Sequence, residues 1–247
     1  MHDMDNEKQF LESVIPTYIT SESAQDRLIK TLAIRTFKPF MRSGASGLEF
    51  GCCDGYMTSL IAPLCDNLTV VDGSETFINM ARSRVSPEVN FEHVLFEEFN
   101  PGKKFDYIFA TYVLEHVSDA IVFLLKARSL LSDHGLLFIV VPNARALSRQ
   151  LARHMKLIDD LFALTQNDMN HGHRRVYDRV LLNNDLDAAG LQQISQGGLL
   201  LKLLADFQMD KLLETRIIAD AQIDGLYKMG LEYPDLAGSL FSICRLP

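Results

Sequence analysis

Residues 48–62 read LEFGCCDGYMTSLIA, and this stretch decides the fold. A short apolar run leads into a turn that contains Gly51 and Gly55, and a helical pattern follows from Tyr56. A strand, a glycine-containing turn and a helix in this order are typical of α/β domains that bind a ligand through the turn. Tyr56 stands where a dinucleotide-binding G-x-G-x-x-G sequence needs its third glycine, which disfavours a nicotinamide-dependent dehydrogenase.

Outward from this unit, apolar runs alternate with helical patterns. Further strands are predicted at residues 68–71, 91–95, 105–111 and 136–141, the last after a turn at 133–135, and helices are predicted to begin at Ser23, Ser74 and Ser118. The first of these helices should end at Pro39. Nearly all-apolar strands that alternate with helices indicate a parallel sheet covered on both faces. The sequence therefore predicts a doubly wound α/β domain.

Composition excludes several classes of protein. The 247 residues include 24 Lys and Arg against 32 Asp and Glu, a net charge of −8 that argues against nucleic acid as a partner. The four cysteines have neither disulfide-framework nor zinc-site spacing, and the longest apolar run, residues 136–141, is too short to span a membrane. The N-terminal residues do not read as a secretory signal. We expect a cytoplasmic protein without membrane contact.

Acidic residues mark the carboxyl ends of the first two predicted strands. Glu49 stands at the tip of the first, and Asp72 ends the second, 21 residues after Gly51. In doubly wound sheets, ligands bind beyond these strand ends, and a carboxylate there can accept two hydrogen bonds from a ribose diol. The arrangement suits a nucleoside that lacks a pyrophosphate.

Four segments in order resemble the class I S-adenosylmethionine-dependent methyltransferases: LEFGCCDGYMTSLIA, TVVDGSE, FDYIFATYVLEHV and GLLFIVVPN. The resemblance covers roughly residues 45–145, and residues 171–191 resemble the segment before the sixth strand of bacterial small-molecule members. It implies a Rossmann-like, mostly parallel seven-stranded sheet with an N-terminal helical lid and helical insertions. The implied layout is one domain over 1–247, with a lid at 1–42, a cofactor-binding core at 43–145, an acceptor-binding insertion at 146–180 and C-terminal strands and helices at 181–247.

The resemblance also implies a set of cofactor-binding residues. Residues around the methionine part, the ribose, the adenine and the sulfonium would be Glu49, Gly51, Cys53, Gly55, Asp72, Gly73, Ser74, Leu95, Phe96 and Thr111. Two of them depart from the family pattern. Cys53 takes the place of the middle glycine, where a positive φ would strain the backbone, and Leu95 takes the place of an aspartate that reads the adenine amine in many members.

Histidines are the candidate general bases. His116 follows the fourth strand beside the expected methyl group, although the same LEHV string in members with unrelated substrates allows a purely structural role. His173 lies in the second cluster, HGHRRVY at residues 171–177. Predicted acceptor-binding residues are Tyr18, His171, His173, Arg174 and Tyr177.

The segment from 142 to 180 is locally basic. It carries seven Lys and Arg against four Asp, a net charge of +3 in a chain of net −8. This charge predicts an acceptor with a carboxylate, phosphate or nucleotide diphosphate. For Arg145, Arg149 and Arg153, spaced four apart, a solvated helix face is the favoured alternative.

No metal is expected. Glu115, His116, His171 and His173 are candidate ligands, and some ubiquinone-pathway and small-RNA 2′-O-methyltransferases carry an E-x-x-E-H string that binds a divalent ion. Here Tyr112 replaces the first glutamate of that string and removes one ligand.

The resulting prediction is methyl transfer from S-adenosylmethionine to an O or N atom of a small, anionic metabolite, such as a sugar, a sugar nucleotide or a specialised-metabolite intermediate. One alternative is a methyltransferase that acts on RNA or protein. Another is a catalytically silent scaffold or regulator, which the departures at Cys53 and Leu95 keep open. The apolar C-terminal stripes also leave a homodimer open.

Overall fold

The computed structural model describes residues 2–19 and 23–247, with the side chains of 2–6 and 19 left out. Its helices are α1 His2–Ile19, α2 Ala24–Phe37, α3 Tyr56–Ile61, α4 Glu75–Arg82, α5 Ala120–Leu130, α6 Leu147–His154, α7 Gln166–Asn170, α8 Arg179–Ala188, α9 Asp206–Glu214 and α10 Asp220–Glu232. Its strands are β1 Ser46–Phe50, β2 Asn67–Asp72, β3 Asn90–His93, β4 Phe105–Thr111, β5 Leu131–Pro142, β6 Gln192–Leu199 and β7 Ser239–Arg245.

The seven strands form one sheet in the order β3-β2-β1-β4-β5-β7-β6. Strands β1 to β5 pair in parallel, whereas β7 is antiparallel to both β5 and β6. This confirms the predicted doubly wound, mostly parallel seven-stranded sheet. The strand order reverses between β1 and β4, so a crevice opens at the carboxyl ends of these two strands.

Two apolar clusters cover the two faces of the sheet. One joins β-strand residues to α5 and α8 through side chains such as Phe123 and Leu182. The other joins the opposite face to α2 through Ile29 and Phe37. Strand residues such as Phe50 and Phe109 are fully buried, as expected for strands covered on both sides. Helices α9 and α10 lie between β6 and β7, as the sequence predicts.

Several element boundaries differ from the sequence predictions. Ser23 does cap α2 and accepts a hydrogen bond from the Asp26 amide. The predicted cap Ser118 is wrong, because Asp119 caps α5 by accepting from the Val122 amide. The turn predicted at 133–135 is part of β5, and the strand predicted at 91–95 is β3, which ends at His93. Short-range patterns identify these elements better than they fix their ends.

None of the helices in residues 2–19 and 23–247 combines the length and the apolar character that a membrane crossing requires.

Candidate active site

The turn after β1 depends on two glycines. Gly51 has φ +76° and donates its amide to the Val71 carbonyl at 2.9 Å. Gly55 has φ +81°, and a Cβ there would lie 2.5 Å from the Cα of Ala81. Gly55 has a positive φ and no room for a Cβ, so only glycine allows the turn to pack this closely against α4.

Cys53 has the left-handed conformation that the sequence analysis named as a source of strain. Its φ is +47°, which costs a residue with a Cβ about 1 kcal/mol. Burial raises the pKa of the Cys53 thiol to about 12, so the sulfur is not an activated nucleophile.

Glu49 is the penultimate residue of β1 and carries a buried carboxyl group beside the Thr58 hydroxyl. Its side chain is fully buried, and neither carboxyl oxygen makes a hydrogen bond of normal geometry with the described residues. Burial raises the pKa of Glu49 to about 8, and the positive charge of Lys30 opposes that rise. A buried carboxyl group in this state is costly unless a ligand donates to it. It fits the ammonium group of an amino-acid ligand. The nearby Lys30 ammonium is paired with Asp26 at 2.7 Å.

Asp72 ends β2 with its carboxylate fixed by the backbone. Oδ2 accepts from the Cys52 amide at 2.9 Å, and Oδ1 accepts from the Ser74 amide at 2.8 Å. Burial raises the pKa of Asp72, while these hydrogen bonds lower it. Oδ2 also accepts the weak thiol donor of Cys52 at 3.4 Å. Oδ1 keeps a free lone pair, and a hydroxyl can replace the thiol on Oδ2, so the carboxylate can accept from two adjacent hydroxyls, as a ribose presents.

An apolar surface continues from Asp72 towards α5. Leu95 is buried, and the half-buried Phe96 ring lies 5.2 Å from Phe50 and 5.6 Å from Phe123 between centroids. With leucine at 95, this wall offers contact area to a flat base instead of a side-chain carboxylate.

Helix α1 lies across the ribose-binding end of the turn. The Leu11 side chain is so close to Gly73 that a Cβ on the glycine would come within 2.6 Å of Leu11 Cδ1. Glu12 accepts hydrogen bonds from the Ser74 hydroxyl at 2.8 Å and the Thr76 hydroxyl at 3.2 Å. The helix therefore packs on the segment after β2, and its role as a lid stays a prediction.

The segment after β4 supplies a second buried acid. Glu115 is fully buried without a normal hydrogen bond to its carboxyl oxygens, and burial raises its pKa to about 7. Burial lowers the pKa of the adjacent His116 to about 3, so this imidazole stays neutral near pH 7. The rings of His116 and His173 meet edge to face with centroids 4.8 Å apart. Thr111 ends β4 directly before this segment.

The insertion brings its histidines to this segment. The Arg174 amide donates to the Glu115 carbonyl at 2.7 Å, and the Arg175 guanidinium donates to three carbonyls, those of Leu114, Val117 and Ser118. Tyr18 of α1 donates its hydroxyl to the His171 carbonyl at 3.0 Å. The predicted residues His116, His171, His173 and Tyr18 thus meet in one place.

Two predicted acceptor-binding residues have partners inside the chain. Arg174 Nη2 donates to both oxygens of Glu7 in α1 at 2.8 Å, and its guanidinium lies over the Phe10 ring. Tyr177 is buried in the core and donates its hydroxyl to Asp185 at 2.9 Å. The Tyr177 hydroxyl is therefore bound to Asp185 in the core and is not a free donor for an acceptor.

The solvated-face alternative is wrong for Arg149. Its side chain is only 17% exposed, and it donates to the carbonyls of Leu161 and Ala163 and to the Asp168 carboxylate. Asp168 and Lys30 were not among the predicted site residues. For Asp168 a signal was present, because Thr165 and Asp168 have the spacing of a capping box and form one at the start of α7.

Three candidate metal ligands lie together. Atoms of Glu115, His116 and His173 are all within 4.8 Å of one another. At position 112, where the metal-binding string has its first glutamate, the Tyr112 hydroxyl instead contacts the Ser239 hydroxyl at 2.9 Å. Tyr112 therefore supplies no carboxylate to this group of side chains.

A family model described as a methyltransferase domain matches residues 22–196. The nodulation protein S of Bradyrhizobium diazoefficiens is 34% identical over 137 residues, which are 53% of this chain and 64% of that protein. A ubiquinone biosynthesis O-methyltransferase of Rhodopseudomonas palustris is 27% identical over 132 residues, 50% of this chain and 52% of that protein. The matched segments therefore span between about half and two thirds of these relatives.

Among solved structures, the N-methyltransferase NodS of Bradyrhizobium japonicum in complex with S-adenosylhomocysteine superposes with a TM-score of 0.59. The match covers 92% of this chain and 90% of that one at 16% sequence identity, which supports the shared fold. The family match over residues 22–196, with the glycine turn and the acids that end β1 and β2, shows that the chain belongs to the class I S-adenosylmethionine-dependent methyltransferase family.

Proposed function

We propose that the protein transfers a methyl group from S-adenosylmethionine to an O or N atom of a small metabolite. The observation that carries this proposal is the pair of buried acids at neighbouring strand ends. Glu49 makes no hydrogen bond of normal geometry, and Asp72 keeps a free lone pair on Oδ1 and only a weak thiol as second donor on Oδ2. Glu49 suits the amino group of the cofactor, and Asp72 suits its ribose hydroxyls. When bound, S-adenosylmethionine supplies an electrophilic methyl carbon on a sulfonium.

The residues of this chain then position the acceptor and, where needed, accept its proton. Methyl transfer is an in-line displacement, so orientation of the nucleophile contributes most of the acceleration. A base is required only where the acceptor atom carries a proton at the working pH. His173 is the better candidate, because an acidic side chain faces its ring, whereas desolvation lowers the pKa of the half-buried His116 to about 3.

The acceptor is proposed to be anionic. The basic insertion supports this, with Arg174 at the junction between α1 and the histidine cluster. Since Arg174 already pairs with Glu7, an acceptor carboxylate or phosphate would take the place of the Glu7 carboxylate on this guanidinium. Charge reversal by Arg174→Glu should raise the acceptor KM at least about ten-fold. An unchanged KM would exclude an anionic acceptor bound at this residue.

A catalytically silent scaffold is the second candidate, favoured by the strained Cys53 in the cofactor turn. Incubation with metabolite extracts and isotope-labelled S-adenosylmethionine separates the two. We expect label in one or a few small, acidic compounds with the wild-type protein and none with Asp72→Ala. Label in RNA or protein would redirect the assignment to a macromolecular acceptor.

The cytoplasmic location and the homodimer stay predictions.

A further inference from the structure

The two oxygens of the Asp168 carboxylate have different partners. Oδ2 accepts the Thr165 amide and the Thr165 hydroxyl, both at 2.8 Å, and Arg149 Nη1 at 3.1 Å. Oδ1 faces Nδ1 of His173 at 3.4 Å. The backbone amide of His173 also donates to the Asp168 carbonyl at 2.9 Å. Three donors therefore fix one oxygen and leave the other aimed at the imidazole.

This pair is shielded from solvent. The side chains of His173 and Asp168 are 14% and 12% exposed. Burial alone would raise the pKa of Asp168, but hydrogen bonds from His173, Thr165 and Arg149 hold it well below its usual range. The carboxylate is therefore ionised throughout the neutral range, and its negative charge is concentrated opposite one ring nitrogen.

Three other side chains surround His173. Glu115 and His116 approach from the segment after β4, and the His171 ring lies 6.3 Å away between centroids. Among the described residues, Asp168 is the carboxylate that faces Nδ1, at a distance longer than that of a normal hydrogen bond. A carboxylate in this position fixes the tautomer of an imidazole, because it accepts the Nδ1 proton and leaves Nε2 as the basic nitrogen.

We propose that Asp168 is a positioning residue that holds His173 as the Nδ1-protonated tautomer, so that Nε2 can take the proton of the acceptor. The proposal rests on the methyltransferase function proposed above. As the acceptor oxygen or nitrogen bonds to the methyl carbon, the carbon–sulfur electron pair leaves with sulfur as a thioether. The acceptor proton moves to His173 Nε2, and Asp168 stabilises the resulting imidazolium until solvent removes the proton.

The test reads the tautomer directly and needs no acceptor. Nitrogen-15 NMR of histidine-labelled protein, with His173 assigned from the spectrum of His173→Gln, distinguishes protonation at Nδ1 from protonation at Nε2. We expect Nδ1–H in the wild type and a shift towards Nε2–H in Asp168→Asn. Asp159→Asn, an exposed aspartate of the same insertion, should leave the spectrum unchanged.

A second variant separates positioning from folding. Thr165→Ala removes the two hydrogen bonds that the Thr165 hydroxyl makes with Asp168, one donated to Oδ2 and one accepted from the Asp168 amide. Asp168 Oδ2 keeps the Thr165 amide and Arg149 as donors, so the Nδ1–H tautomer of His173 should persist. Once an acceptor is known, Asp168→Asn should lower kcat on the order of 10²-fold with little change in KM. A wild-type Nε2–H tautomer, or an identical tautomer in Asp168→Asn, would overturn the proposal. If neither the wild type nor any variant transfers a methyl group, while Asp168→Asn still shifts the tautomer, the proposed function is refuted and the positioning role is not.

Discussion

Arg174 of the insertion and Glu7 of α1, which are 167 residues apart in sequence, form an ion pair in which Nη2 lies 2.8 Å from both carboxylate oxygens. The Phe10 ring packs under the same guanidinium. The contact joins α1, the predicted lid, to the predicted acceptor-binding insertion.

Removal of the Glu7 charge should loosen the lid. The two side chains are 27% and 30% exposed, so the pair contributes about 0.5 to 1 kcal/mol. We expect Glu7→Gln to weaken S-adenosylhomocysteine binding by about two- to five-fold, measured as a dissociation constant. Asp235→Asn, which breaks a separate ion pair with Arg179, is the control and should have no effect. Equal affinity in Glu7→Gln and wild type would show that this pair does not hold the lid closed.

The buried acid Glu49 predicts opposite pH trends for stability and binding. Because folding raises the pKa of Glu49 to about 8, the ligand-free protein loses stability as pH rises from about 4.5 to 8. Over the same range, S-adenosylhomocysteine should bind more tightly, since the ionised carboxylate attracts its ammonium group.

Glu49→Gln isolates the contribution of this residue from those of Asp72 and Glu115, whose raised pKa values act in the same direction. Denaturant unfolding at several pH values should show a shallower loss of stability in the variant. Calorimetry should show weaker binding that no longer improves towards pH 8. A variant with the same two pH slopes as the wild type would assign the effect to another group.

Gly55 should tolerate no side chain. A methyl group there would meet the Ala81 backbone at 2.5 Å and require a left-handed residue, for a total cost of about 2 to 4 kcal/mol. Gly102 is a matched control, because its φ is also positive at +64° but a Cβ would meet nothing within 4 Å. Urea unfolding should therefore show a much larger loss in Gly55→Ala than in Gly102→Ala, for which we expect about 1 kcal/mol. Equal losses would mean that the α4 contact is not what requires glycine.

Divalent metals should be dispensable. The Tyr112 hydroxyl contacts Ser239, which leaves Glu115, His116 and His173 without the fourth ligand of the metal-binding string. Methyl transfer should survive treatment with EDTA, and the purified protein should contain less than stoichiometric metal. Activity that disappears on chelation and returns with one added ion would contradict this prediction.

The parallel core could be predicted from sequence because its signals are local. The apolar strands, the glycines at 51 and 55, and the acids at 49 and 72 are each readable within a few residues, and the sheet topology brings them together. The sequence also marks Cys53 as a side chain in the place of a glycine in this turn, and the structure adds that its φ is positive.

The acceptor side could not be predicted as well, because its contacts join distant segments. Nothing in the spacing of Arg149 distinguishes a solvated helix face from a guanidinium that binds Asp168 and two carbonyls of the following loop. The Glu7–Arg174 pair depends on how α1 folds back over the sheet. The Thr165–Asp168 cap was readable, but its second role opposite His173 arises only from the tertiary fold.

The most direct test of the proposed function is titration calorimetry with S-adenosylhomocysteine. It compares the ligand-free wild type with the Asp72→Ala variant. We expect one binding site per chain in the wild type. Affinity should fall at least about ten-fold in the variant, since two hydrogen bonds to a charged group are lost. No heat of binding to the wild type at millimolar ligand would contradict the proposed methyl transfer and favour the catalytically silent scaffold.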